Sequence, residues 1–205
     1  MHTTMERIVN LLLTKRNKKN MTNKIKEISD LVKNECHKND RDWFYDVHLL
    51  AVEKFAIQLL KKLPKADKEI VMLGVWLHDL HRVKILKGDH QKASAKEAVK
   101  VLKLYGYNSK TIDQVKEIIL THSCYTGNMP KSLEGKILAT ADGMSHYVND
   151  FFIRIAVTGQ RNVEEYKEWV LEKLDRNYNN KIHFDFARKI IKKRHDVIKK
   201  FITLN

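Results

Sequence analysis

Two prolines, seven glycines and two cysteines in 205 residues exclude several classes of protein at once. So few turn-forming residues argue against a β-sandwich and against a disordered chain. Cys36 and Cys124 give no disulfide framework, and no Cys-x-x-Cys pattern offers a zinc or redox motif. No apolar run approaches the roughly 20 residues that a membrane helix needs. The short apolar patch at residues 8–13 is followed by basic residues instead of preceded by them, and no small-residue cleavage site comes after it. It therefore does not read as a secretory leader. A cytoplasmic protein with no membrane partner is expected.

What is present is a chain with 43% hydrophobic and 31% charged residues, the balance of a soluble globular protein. Its length suits one domain with an ample core. A net charge of +14 points to anionic partners: nucleic acid, anionic lipid or phosphorylated small molecules. Much of that charge lies near the ends. Residues 1–20 set Arg7, Lys15, Arg16, Lys18 and Lys19 against Glu6, and residues 181–200 set eight cations against Asp185 and Asp196. Lysine-rich terminal helices are more often solvated faces than nucleic-acid sites, so nucleic acid is only weakly supported as a partner.

Apolar residues recur at helical spacing almost throughout, and no sustained alternation marks a strand, so an all-α single domain is expected. A basic segment over residues 1–23 precedes a helical domain over 24–205. Helices are expected over 24–37; from a cap at Asp40 or Asp42 to Lys62, where Pro64 ends the pattern; from Ala66 to Leu80; from Gln91 to Tyr105, stopped by Gly106; from a cap at Ser109 or Thr111 to His122; and from Ser132 to Tyr147 or beyond. Loops fall at Lys87-Gly88-Asp89 and around Gly127. Two amphipathic helices, Asn162 to Tyr178 and Phe184 to Phe201, complete the chain.

Four polar side chains fall on apolar stripes. His48 shares a stripe with Phe44, Val52, Phe55 and Leu59; His78 with Val71, Gly74 and Val75; His122 with Ile112, Val115 and Ile119; and Asp142 with Leu138 and Gly135. Burying such groups without partners costs several kcal/mol, by the roughly 2–7 kcal/mol scale of polar burial, so each must be satisfied. His–Asp pairs could satisfy one another, but a divalent cation would satisfy all of them together. Adjacent His78 and Asp79 can reach one ion if the helix ends there.

The order His48, His78-Asp79, Asp142 resembles the signature of the HD superfamily of metal-dependent phosphohydrolases, over roughly residues 42–147. Asp42-Trp43, Val52 and Ala56, the apolar lead into His78, and Ser132-Leu133-Glu134 before Ala141-Asp142 all match. His90 ahead of Lys92-Ala93-Ser94-Ala95, and Ile118-Ile119-Leu120-Thr121-His122, extend the match. The resemblance implies an HD-type helical bundle with one or two divalent ions, with Mn, Fe, Ni, Co, Zn and possible Mg as candidates. It implies His48, His78, Asp79 and Asp142 at one ion and Asp79, His90 and His122 at a second, with Asp79 bridging. In members with a single ion, the equivalents of His90 and His122 contact substrate or water.

The chain also departs from its relatives. Many members read His-Asp-Ile-Gly-Lys where this one reads His78-Asp79-Leu80-His81-Arg82. His81 could line the pocket mouth or face solvent, and Arg82 keeps a positive charge whose fork suits two phosphate oxygens. Ala51 stands where some members carry arginine. Gly106-Tyr107 is followed by Asn108, so the Gly-Tyr-Pro motif of the cyclic-dinucleotide branch is missing. The expected activity is hydrolysis of a phosphate ester or anhydride of a nucleotide or other small phosphorylated metabolite. Asp79 and Arg82 are the catalytic candidates; Arg82, with Lys84 and Lys92, would bind substrate. Two other readings stay open: a di-iron oxygenase with the same ligand set, and a nucleic-acid-binding protein or nuclease using the basic ends.

Overall fold

A computed structural model describes residues 23–85, 90–125, 128–148, 150–159 and 161–204. The basic segment expected at residues 1–23 therefore lies outside the described residues, apart from residue 23, as do the breakers at 87–89 and Gly127. Among the described residues the chain is helical and contains no strand. No described helix is long and apolar enough to cross a membrane.

Helix α1 spans residues 23–38. It ends where Asp40 adopts φ 54° and the Arg41 amide donates to the Cys36 carbonyl at 2.9 Å, so Asp40 closes α1 instead of capping the next helix. A π-helical turn, Phe44–Leu49, runs directly into α2, Leu50–Lys62. Helix α3 is Lys68–Leu77, capped by Asp67, whose carboxylate accepts from the Glu69 and Ile70 amides. The Asp67 amide in turn donates to Glu134, tying the start of α3 to a later helix. After a break at His78-Asp79 comes the short α4, Leu80–Lys84, and then α5, His90–Leu104. Gly106, at φ 70°, ends α5 as expected, and the Tyr107 amide donates to the Leu102 carbonyl.

Helix α6, Ser109–Thr121, is capped by Asn108 one residue earlier than expected; its side-chain oxygen accepts from the Thr111 amide. Ser132 caps α7, Leu133–Ser145. The sequence pattern left out α8, Phe151–Thr158, a short helix with exposed apolar Ile153 and Val157 that gives little period to read. Helix α9, Val163–Arg176, begins with a capping box between Asn162 and Glu165. A second π-helical turn, Asn177–Lys181, precedes α10, Asp185–Thr203.

The core is one cluster centred where α2, α3, α6 and α7 meet, with Leu73, Leu77, Ile118, Ile119, Ile137 and Leu138 fully buried. Burying side chains of this size contributes about 1.5–3 kcal/mol each. Gly74 allows the close approach: a Cβ there would lie 2.5 Å from Ile118 and 3.1 Å from Leu138. Cys36 and Cys124 are both free and buried.

Candidate metal centre

The break between α3 and α4 makes the centre. His78 still has helical torsions, but Asp79 turns to φ −115° and ψ 19°, in the sparsely populated bridge region. This brings the neighbouring side chains back toward one point, with His78 Nε2 3.7 Å from Asp79 Oδ2. A continuous helix, as the sequence pattern suggested through Leu80, would have splayed them.

Asp79 gathers imidazoles from four places in the fold. His48 Nε2 lies 3.7 Å from Oδ2; His90 Nε2 lies 3.7 Å and His122 Nε2 3.9 Å from Oδ1. Asp142 on α7 is 3.6 Å from His48 Nε2. These separations are too long for hydrogen bonds. They are of the order expected for two donors that each sit about 2.1 Å from one ion. His48, His78, Asp79, His122 and Asp142 are buried, and His90 is partly covered at the start of α5.

The outer ring nitrogens show which lone pairs face inward. His78 Nδ1 donates to the Val75 carbonyl at 2.9 Å, and His122 Nδ1 donates to the Ile119 carbonyl at 2.6 Å. The Ser145 hydroxyl donates to the Asp142 carbonyl and so accepts from His48 Nδ1 at 3.0 Å. Each neutral imidazole is thereby fixed with its proton on Nδ1, which leaves the Nε2 lone pair free. His78 Nε2 and Asp79 Oδ1 are buried without a hydrogen-bond partner, a costly state for a finished core. Among the described residues, two groups have ligand atoms close enough for one ion: His48, His78 and Asp142, and His78, Asp79 and His122. The donor set therefore fits a divalent cation, and His78 belongs to both groups.

Electrostatics reinforce this. Burial alone would raise the Asp79 carboxyl, but His78, His48, Arg82 and His90 together hold it well below the usual range. Burial pushes His48 and His90 down despite the nearby carboxylates. His122 falls to about 3, chiefly through burial. His48, His90 and His122 are thus held neutral, as ligands must be.

Three participants escaped the sequence reading. Lys181, in the second π-helical turn, forms a buried ion pair with Asp142 Oδ2. It is held by α7, since Thr140 donates to the Lys181 carbonyl and accepts from the His183 amide. His146 reaches Asp142 Oδ1 at 3.5 Å, and its Nδ1 receives the Asn177 amide at 3.1 Å. Its inward nitrogen therefore carries the proton and lies near the carboxylate without a hydrogen bond to it. Lys173 is buried beside Phe151 and Trp169, and burial, then the charge of Lys181, drives its amine well below the usual lysine range. His146 was open to detection, four residues after Asp142 on the same helical face. Lys173 and Lys181 carry no such signal in a lysine-rich chain.

The other expected residues divide. Arg82, partly buried on α4, is near enough to lower the Asp79 carboxyl. Lys84 pairs with Glu97 at 2.8 Å and Glu35 at 3.7 Å. His81 binds Glu97 at 3.0 Å while its amide donates to Ser94, so the residue replacing glycine ties α4 to α5. Lys92 is exposed on α5.

Residues 45–146 match the HD domain, and through that segment the chain belongs to the HD-domain family. A crystal structure from an uncultured Thermotogales bacterium, described as a predicted HD superfamily hydrolase, is similar with a TM-score of 0.59 and 24% identity over 86% of this chain and 88% of that one. At that identity the likeness speaks for the fold. No curated protein matches. Family membership and the buried His/Asp groups together support a metal-dependent hydrolase.

Proposed function

We propose that the protein is a metal-dependent phosphohydrolase acting on a phosphate ester or anhydride of a small phosphorylated metabolite. The observation that carries this reading is the buried pair of unpartnered atoms, His78 Nε2 and Asp79 Oδ1, at the focus of four imidazoles. His48, His78, Asp79 and Asp142 would hold one divalent ion, and Asp79, His90 and His122 a second. Such ions supply Lewis acidity and lower the pKa of water from about 15.7 toward 7.

The protein's own groups do the rest. Ser145 and the Val75 and Ile119 carbonyls orient His48, His78 and His122, so the lone pairs are aimed before any ion arrives. Lys181 and His146 hold Asp142 ionised by outweighing its burial. Arg82 presents a guanidinium to charge developing on a phosphoryl group. Lys84 is already engaged by two carboxylates, so Arg82 bears most of that role.

A panel of phosphate esters and anhydrides, with p-nitrophenyl phosphate among them, tests the reading when assayed with Mn, Co, Ni, Mg, Fe and Zn in turn. Metal-dependent phosphate release, lost in Asp79→Ala, is expected. Absence of release with every ion would overturn it.

A further inference from the structure

Helix α10 carries an exposed surface that the metal centre does not use. Its buried residues are Ala187, Ile191 and His195, and none beyond His195 is buried. The last two turns therefore project from the core. Ile190, Val197 and Phe201 recur at spacings of seven and four, and Leu204 follows three residues on, so at about 100° per residue the four share one stripe. They are 53%, 59%, 74% and 61% exposed. Apolar side chains scattered singly on a surface are ordinary, whereas a continuous stripe of large ones marks a place of contact.

The charge around the stripe has one sign. Both acids of α10 are engaged away from it, Asp185 with Arg188 at 2.5 Å and Asp196 with Lys192 at 2.7 Å. Lys189, Lys193, Arg194 and Lys200 lie within about 100° of the stripe. All four are exposed and form no ion pair among the described residues. Lys193, Arg194 and Val197 also line a cavity of about 710 Å³ between α10 and α2, where α2 adds Leu50 and Lys54 and Asp46 is the one carboxylate. An occupant of this face must be anionic and must also cover apolar side chains. Nucleic acid would meet the cations but leave Val197, Phe201 and Leu204 in water. An acidic protein would need a groove of its own to take a projecting helix end. A bilayer with anionic headgroups does both, since headgroup oxygens meet the cations while apolar tips enter the boundary with the acyl chains.

We infer that the outer face of α10 is a lipid-docking surface that seats the protein on an anionic membrane. Val197, Phe201 and Leu204 enter the interface, and Lys189, Lys193, Arg194 and Lys200 meet the headgroups. No membrane partner was expected because no run is long enough to span a bilayer, but a helix that lies at the interface needs no such run. The inference stands apart from the phosphohydrolase reading, because the metal cluster's histidines and aspartates are absent from this face.

The test is co-sedimentation of the full chain with vesicles of phosphatidylcholine alone and of phosphatidylcholine mixed with phosphatidylserine. The mixed vesicles are expected to bind about tenfold or more tightly, in keeping with the worth of several cations near an anionic surface. Lys193→Gln and Arg194→Gln should each weaken that binding about fivefold. Val197→Ser combined with Phe201→Ser should weaken it about tenfold or more, which loss of charge attraction alone would not explain. All four positions are exposed, and melting curves confirm that each variant is folded. Equal binding to the two kinds of vesicle, or none to either, would overturn the inference. Binding unchanged in the Val197/Phe201 variant would do so too, because it would place the contact elsewhere, such as the basic segment at residues 1–20. Tighter binding of a single-stranded oligonucleotide or of a glutamate-rich peptide than of the mixed vesicles would assign the face to nucleic acid or to an acidic protein instead.

Discussion

The two buried carboxylates of the centre are satisfied in opposite ways. Asp142 has its own permanent cation, Lys181, and a His146 nitrogen 3.5 Å away. Asp79 is surrounded by imidazole nitrogens beyond hydrogen-bond reach, and its Oδ1 has no partner. Both carboxyls are held well below their usual range against the cost of burial. The Asp142 carboxylate is paired with a cation within the chain, whereas Asp79 Oδ1 has no partner there and fits an added cation. On the proposed reading Asp142 is a ligand already braced by the chain, whereas Asp79 depends on the bound cation.

Variants can break or sharpen this contrast. The largest effect is expected at Asp79. Asp79→Asn should lower metal-dependent kcat by about a thousandfold or more, and Asp142→Asn, whose position is still braced by Lys181 and His146, by clearly less. Steady-state kinetics at saturating metal make the comparison, and equal losses would erase the distinction. Next is Lys181→Met, which strands a buried carboxylate. Urea unfolding in EDTA should show a loss of about 3–5 kcal/mol. Added Mn²⁺ should restore part of it, because the ion supplies the missing positive charge. A loss below about 1 kcal/mol would mean that Asp142 does not depend on the lysine.

A third effect is pH dependence. His48, His90 and His122 have folded pKa values below the ordinary histidine value of about 6.5, with His122 at about 3. Below pH 6.5 the unfolded chain takes up protons that the folded chain does not, so stability falls as pH falls. The melting temperature in EDTA should therefore drop between pH 7 and pH 5, by an amount equivalent to at most about 2 kcal/mol per histidine. The aspartates add nothing in that window, since both stay ionised. A flat profile would mean that the imidazoles are not buried neutral. The smallest effect belongs to Lys84→Ala. Its partly exposed pairs with Glu97 and Glu35 are worth at most about 1 kcal/mol, and kcat/KM should change by less than about twofold.

Legibility in the sequence followed the same divide. His48, His78, His122 and Asp142 could be found because each interrupts an apolar stripe at helical period, and all four are buried. Asp79 came in only as the neighbour of His78 at a possible helix end, and the family resemblance added His90, which no periodicity singles out. The all-α class and the Gly106 and Ser132 helix boundaries were also readable, since each rests on local chemistry. What stayed hidden depends on long-range packing. Lys181 sits in a π-helical turn that breaks the helical period, and Lys173 is one lysine among many until α9 folds it inward. The end of α3 at Leu77 was missed because Leu80 continues the apolar pattern across the break at Asp79.

The central claim is that the Asp79 focus is a metal centre, and elemental analysis with calorimetric Mn²⁺ or Zn²⁺ titration tests it most directly. The unaltered chain should bind one or two ions per molecule, and Asp79→Ala, confirmed folded by its melting curve, should bind none with comparable affinity. An Asp79→Ala protein that retained the full metal content of the unaltered chain would contradict the account.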